Sequence, residues 1–371
     1  KKMLEFLDKY HGTAAGHFTG DECLSGTSPI QGAELCSVVE AMYSYEILFA
    51  VTGDAYWCDR LEKLAFNALP ATISEDMWTH QYDQQTNQVG CVNMGEKGVF
   101  RTNTPDSHIF GEPNFGCCTS NFNQGWPKFA LSTFYKADNA IISASLAPSE
   151  LNTAINGSNV CIRLETQYPF RNKLKYIITV DKKTDFCFAI RIPECVCGFK
   201  TETLHREKDG FMIVDKSFDG TEVIEIDLEF KTKLKNRGDM YTLERGPLVY
   251  ALGIDEDWQK REYVRDGVER KYPYCDYEIY PKSKWNYAFA GTDFEFEDNV
   301  GEDLYFSKSK PPVTITTKMA EIPWNYKKGY NYVCEERPES TIPVSKAEKK
   351  VFKPYGCTTL RMTEMPKAKE E

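Results

Sequence analysis

The spacing of apolar residues in this 371-residue chain changes once, near Ala140, and that change limits it to a mixed architecture of more than one domain. Before the change, apolar residues recur three and four apart. Over residues 33–51, Leu35, Val38, Val39, Met42, Tyr45, Leu48 and Phe49 mark one face of a helix. Gly53 supplies its stop and Asp54 the cap of a second helix, which carries Trp57, Leu61, Leu64 and Phe66 to about Asn67, ahead of Pro70. The short turn at 52–54 makes the two an antiparallel hairpin. A third helix is expected after Cys118, capped by Thr119 or Ser120 and carrying Phe122, Trp126, Phe129, Leu131 and Phe134. Residues 1–7 read as the middle of an amphipathic helix with no capping residue before it, which suggests a lost N-terminus.

After the change, short alternating or β-branched runs take over at 141–146, 160–165, 175–180, 186–192, 223–230, 241–243 and 248–252, punctuated by turn residues at sandwich-like intervals. From about Asp255 the chain is charged and Tyr-rich, with strand candidates at 313–316 and 358–362. The expected domains are therefore 1–138, helical, then 139–254, a β-sandwich, and 255–371, a second β-rich unit. The helices are too few to close an all-helical domain alone. Residues 72–116, rich in Asn, Gln, Gly and Thr, form a long stretch without periodicity, a pattern that is usually functional inside a compact domain.

Composition removes several classes. A net charge of −10 argues against a nucleic-acid partner, whose phosphates would be repelled. No apolar run approaches the roughly 20 residues that span a bilayer, so no membrane partner is expected. Serine-hydrolase elbows, phosphate loops and dinucleotide fingerprints are absent. The 13 cysteines lack the regular spacing of a disulfide scaffold and read as free thiols of a reducing compartment, so a cytoplasmic location is expected.

Two elements could carry chemistry together. Glu34-Leu35-Cys36 and Cys117-Cys118 offer one carboxylate and three sulfurs, a ligand set that suits tetrahedral zinc. Both lie at or near expected helix starts, where backbone amides favour anionic ligands and lower thiol pKa values. The alternative is that adjacent cysteines are small buried apolar residues, and no C-x-x-C pair occurs. Cys195 and Cys197 sit in a strand-like context and read as structural. Asp21-Glu22, in a polar, glycine-bounded loop, could supply a general acid and base, or could be solvated. The segment 78–88 groups amides, His80 and Asp83 with Trp78 and Tyr82, a mixture that binds sugar hydroxyls or simply lines a turn.

Taken in order, these elements resemble a known family. Gly16-His17-Phe18-Thr19-Gly20-Asp21-Glu22-Cys23-Leu24-Ser25-Gly26, Gly32-Ala33-Glu34-Leu35-Cys36, the run from Trp78 to Gln88, and Phe115-Gly116-Cys117-Cys118-Thr119-Ser120-Asn121 are similar to the β-L-arabinofuranosidase-type glycoside hydrolases of family 127, formerly an uncharacterised domain family. Ile190-Arg191-Ile192-Pro193, the run from Arg245 to Leu252 and the run from Pro354 to Arg361 agree with that family's sandwich motifs. The resemblance implies the C-terminal part of an (α/α)6 barrel, the six-hairpin glycosidase fold, followed by β-sandwich domains. It implies a zinc ion held by Glu34, Cys36, Cys117 and Cys118, with Cys117 as nucleophile and Glu22 as acid/base, Asp21 competing for that role. Glu62 falls where the family has a sugar-contacting glutamate, and His80 and Trp78 are the other expected substrate contacts. The implied activity is a retaining exo-glycosidase that releases β-L-arabinofuranose or a related sugar from an oligosaccharide or glycan. The alternatives are a non-catalytic carbohydrate-binding or scaffold protein with a structural zinc or thiol site, or an inactive fragment of the enzyme.

Overall fold

The computed structural model describes residues 1–111, 116–299 and 305–369. Phe115, part of the cysteine motif, lies outside them. The Leu35–Thr52 helix buries Leu35, Val38, Val39, Met42, Tyr45 and Phe49, the face its spacing predicts. Gly53 ends it in the left-handed conformation (φ 66°), its N–H donating to Phe49 O at 2.8 Å. Among the described residues this is the one helix long and apolar enough to cross a membrane by length and composition, with mean hydropathy 1.3, which the sequence reading did not expect. Seven of its side chains nevertheless lie in the protein core.

Asp54 Oδ1 accepts the Tyr56 N–H at 3.1 Å to open the Tyr56–Lys63 helix. That helix does not stop near Asn67: a π turn, Leu64–Ala68, and a last turn, Leu69–Ala71, carry it across Pro70. Asn67 sits inside the widened turn. Its Nδ2 donates to Lys63 O at 2.8 Å and Pro247 O at 2.9 Å, and its Oδ1 accepts the Val249 N–H at 2.8 Å, tying the helix to a strand. The third main helix, Cys117–Leu131, starts earlier than expected, so both cysteines lie in its first turn, ahead of Thr119 and Ser120. It also ends earlier, and Phe134 opens a strand instead. A Cβ at Gly125 would lie 2.9 Å from Leu69 Cδ2 and 3.5 Å from Val39 Cγ2. Glycine there lets this helix press against the other two.

Residues 134–229 form two five-stranded sheets packed face to face. One runs in the order Gly198–Lys200, Thr221–Glu229, Lys173–Val180, Ser158–Thr166, Ser149–Ile155. The other runs Arg206–Lys208, Phe211–Phe218, Thr184–Arg191, Ala140–Ser143, Phe134–Ala137, with one parallel pair, Ala140–Ser143 against Thr184–Arg191. Alternation places Ile224, Ile226 and Leu228 of one strand, and Val160, Ile162 and Leu164 of another strand of the same sheet, in the buried core. Tyr176 of the first sheet crosses to the second, its hydroxyl 2.8 Å from Ser143 Oγ and its ring 5.3 Å from that of Phe188.

A nine-stranded sheet follows, with the path Thr232–Arg237, Met240–Arg245, Leu248–Gly253, Glu348–Pro354, Val313–Glu321, Tyr287–Phe289. Arg361–Met362 joins it beside Leu248–Gly253 and pairs in turn with Asn87–Gln88 from the long stretch between the helices.

The expected part of an (α/α)6 barrel is not what the chain forms. Strands occupy 40% of the residues and helices 17%, a mixed α+β fold dominated by strand. The physical reason lies between the helices. Residues 72–111 have no apolar repeat to build a helical hairpin, and they satisfy their backbone with short bridges to strands and loops instead. The amides there serve this purpose. Gln81 Nε2 donates to His108 O at 2.6 Å, Gln84 Nε2 to Ala68 O at 3.0 Å, and Gln88 Nε2 to Thr359 O at 2.9 Å. Residues Gln81 to Gln88 are all buried, so this run is a polar core and not an open sugar-binding loop.

Candidate active site

Two helix N-termini converge. Glu34 is the N-cap of Leu35–Thr52, and its backbone is fixed by a two-residue ladder in which Ala33 faces Gln84 and Glu34 faces Asp83. Gly32 makes this possible, because a Cβ there would sit 2.8 Å from the Asp83 carboxyl carbon. Cys36 follows in the first turn of that helix, and Cys117 and Cys118 occupy the first turn of the other. Cys36 Sγ lies 3.5 Å from Cys118 Sγ, and the three sulfurs all lie within 4.8 Å of one another. Cys118 is fully buried, Cys36 half-buried and Cys117 exposed.

The charges of this cluster oppose one another. Thiol donation from Cys118, with further donation from Asn121 and Cys117, pulls the Cys36 pKa down to about 6 against its burial. The hydrogen bond to Cys36 and burial hold Cys118 far above the usual thiol range, and burial and Cys36 raise Cys117. Burial, then the neighbouring Cys36 charge, pushes Glu34 up to about 7. The surrounding donors thus favour one thiolate, at Cys36, and its charge in turn suppresses ionisation of Cys117, Cys118 and Glu34. Three sulfurs at ligating separation, with a carboxyl hydrogen-bonded to one of them, fit a thiophilic divalent cation, which would supply the missing positive charge.

Glu22 is brought to this cluster through Tyr82. The Tyr82 hydroxyl donates to Glu22 Oε1 at 3.2 Å and also hydrogen-bonds Glu34. Glu22 itself is exposed and held at φ 84°. Its neighbour Asp21 is buried, and Asp21 Oδ2 accepts the N–H groups of Thr102 at 2.8 Å and Asn103 at 2.9 Å. The two adjacent acids therefore do different things: Asp21 pins the loop, and Glu22 faces outward. His80 is also close, its Nε2 2.9 Å from Thr119 Oγ1, two residues past Cys117. Trp78 is exposed and stands edge-to-face with Tyr274, centroids 5.3 Å apart.

Glu62 is not brought to the cysteines. Its carboxylate pairs with the buried Arg191 guanidinium, accepts the Leu146 N–H at 2.7 Å and accepts the Tyr168 hydroxyl at 2.6 Å. It fastens helix to sandwich. His17 is likewise internal: its Nε2 is 2.7 Å from Ser37 Oγ, and burial, aided by the Arg60 charge, lowers its pKa to about 3. Sequence reasoning missed Tyr82 and Asn121 as members of the site. Asn121 had a signal, because it stands four residues after Cys117 and so shares its helix face. Tyr82 had none beyond its place in an aromatic-rich run.

Residues 11–131 match the catalytic-domain model of the GH127 β-L-arabinofuranosidases, and residues 140–230 match the middle-domain model of the same family. No curated protein matches the chain. Among solved structures it is similar to a GH127 β-L-arabinofuranosidase from Geobacillus stearothermophilus T6, with TM-score 0.70 and 15% identity over 98% of this chain and 55% of that one. A GH127 β-arabinofuranosidase gives 0.67 and 17% over 95% of this chain and 53% of that one, and a glycoside hydrolase gives 0.57 and 16% over 91% and 53%. The chain thus spans about half the length of the solved structures it matches. Cysteine cluster, ordered domain matches and shared fold lead to one assignment: the chain belongs to the GH127-like β-L-arabinofuranosidase family.

Proposed function

We propose that this chain carries the thiolate centre of a retaining, zinc-dependent glycoside hydrolase that releases β-L-arabinofuranose or a related sugar from a glycan. The observation that carries the reading is the meeting of three thiols within 4.8 Å at two helix starts, with Glu22 linked to the same cluster through Tyr82. Glu34, Cys36, Cys117 and Cys118 would hold the zinc. When bound, zinc keeps the thiols deprotonated at neutral pH and tempers their basicity, so that a sulfur can also act as a leaving group.

Cys117 is the nucleophile in this reading because it alone of the three sulfurs belongs to an exposed residue. Its sulfur forms a bond to the anomeric carbon while the glycosidic C–O bond breaks, and Glu22 delivers its proton to the departing oxygen. Glu22, now a carboxylate, takes a proton from water. The water oxygen attacks the same carbon, and the C–S bond breaks. The Tyr82 hydroxyl orients the Glu22 carboxyl for both steps.

Incubation with a β-L-arabinofuranosyl haloacetamide, read by intact mass and peptide mapping, tests this. One label per chain on Cys117, absent in Cys117→Ser and blocked by free arabinose, is the expected result. Labelling spread over the 13 cysteines at equal rates, or turnover surviving in Cys117→Ser, would overturn it.

A further inference from the structure

A cavity of about 320 Å³ opens beside the first turn of the Cys117–Leu131 helix. Trp78, His80, Thr119, Phe122, Arg270 and Tyr274 are among the residues that line it. Its size is that of a small-molecule pocket. The aromatic rim faces solvent: Trp78 is 54% exposed and Tyr274 63% exposed. Trp78 is held there by its own turn. Asp76 Oδ1 accepts the Ser74 hydroxyl at 2.6 Å and the Trp78 N–H at 3.2 Å, and Met77 takes a left-handed φ of 61° to close the loop. An ordered, solvent-facing indole beside a second ring offers the apolar faces on which a sugar's C–H side packs.

Arg270 supplies the polar element. Its Nε is buried and has no hydrogen-bond acceptor among the described residues. A guanidinium stays charged and matches a carboxylate with two parallel hydrogen bonds, so an N–H on the wall of a cavity with no acceptor among the described residues suits an anionic ligand. Arg270 closes the Tyr263–Arg265/Val268–Arg270 hairpin, which lies more than 100 residues downstream of the cysteines.

We propose that this cavity binds the leaving-group portion of the substrate and that the group it selects is a carboxylate-bearing sugar, a uronosyl residue. Trp78 and Tyr274 take its apolar face, and Arg270 takes its carboxylate. The assignment rests on the glycosidase reading for the words leaving group. The binding of an acidic sugar does not depend on it.

Calorimetric or saturation-transfer NMR titration with methyl glucuronide and methyl glucoside reads the site without turnover. The expected result is at least tenfold tighter binding of the glucuronide, a preference abolished by Arg270→Met and by Arg270→Gln and partly kept by Arg270→Lys. Trp78→Ala should weaken both ligands, and Cys117→Ser should change neither. Equal affinity for the two glycosides, or a preference that survives both neutral replacements in folded protein, overturns the proposal. Glucuronide selectivity in a protein whose Cys117 takes no sugar label would support the acidic-sugar site while refuting the glycosidase reading. A labelled Cys117 with no selectivity would do the reverse.

Discussion

Replacing Glu62 by Gln should destabilise the protein strongly without touching sugar recognition. Arg191 is completely buried, ion-paired with the Glu62 carboxylate, and donates to Asp59 Oδ1 at 2.6 Å and to the Ala144 carbonyl. Gln at 62 preserves the shape and an oxygen for the Leu146 N–H but removes one of the two charges that balance the guanidinium. Orphaning a buried ion-pair partner costs about 3–5 kcal/mol. Asp59 remains and answers part of the charge, which places the expected loss near the lower end. The Tyr168 hydroxyl, now facing an amide, adds about 1 kcal/mol. A total of about 3–4 kcal/mol is a large fraction of the roughly 5–15 kcal/mol that holds a domain folded. Urea unfolding, followed by tryptophan fluorescence and far-UV circular dichroism with coincident transitions, measures it. Glu165→Gln is the control. It breaks exposed pairs with Arg163 at 3.1 Å and Lys175 at 3.2 Å and should cost no more than about 1 kcal/mol. If Glu62→Gln costs no more than this control, or if it leaves stability intact and raises the KM for a furanoside, Glu62 is a sugar contact and the docking role assigned here is wrong.

Burial holds the Glu46 carboxyl at about 7, so the folded protein keeps a proton that the unfolded chain loses near pH 4.5. Stability should therefore fall as pH rises from about 4.5 through 7, and Glu46→Gln should gain about 1–2 kcal/mol over the parent at pH 8, after discounting for screening, and nothing at pH 4.5. Denaturation at the two pH values checks the sign. The Cys36→Ser and Cys118→Ser variants should each lose the metal, with zinc per chain by elemental analysis falling at least about tenfold after dialysis, while Cys58→Ser retains it. Gly125→Val should cost about 1–3 kcal/mol in urea although valine is the better helix former, because the added carbons meet Leu69 and Val39.

Most of the local structure was legible in the sequence, and the sandwich most of all, because alternation at period two fixes which face of a strand is buried. The runs near 160, 175, 186 and 223 each became strands in the two packed sheets. The Leu35–Thr52 helix was equally plain, since Gly53 and Asp54 mark its end and the next start. The π turn at Leu64–Ala68 was not, because it depends on Asn67 bonding to a strand some 180 residues away. The cysteines could be grouped by family pattern alone. Their meeting depends on Gly125, whose effect on helix spacing no periodicity reveals. The greatest loss was between residues 72 and 111, where amides that read equally as sugar ligands or as a solvated turn satisfy buried backbone instead. Glu62 and Trp78 fared differently for a related reason: sequence gives residue type, but burial decides whether a carboxylate braces a fold or meets a ligand.

The pairing of Asn87–Gln88 with Arg361–Met362 also sets a timetable. Asn87 Nδ2 donates to Glu364 O across 277 residues of chain, and its Oδ1 accepts two N–H groups from the same segment. A ribosome releases the cysteine-bearing helices first, but the loop that supports Tyr82 and Glu34 cannot close until residue 364 has emerged, on the order of 10–50 s after Leu131 at about 5–20 residues per second. Through that interval the thiols of Cys36, Cys117 and Cys118 stand on a half-built platform. The order of synthesis thus separates the appearance of these thiols from the closure of the loop beside them.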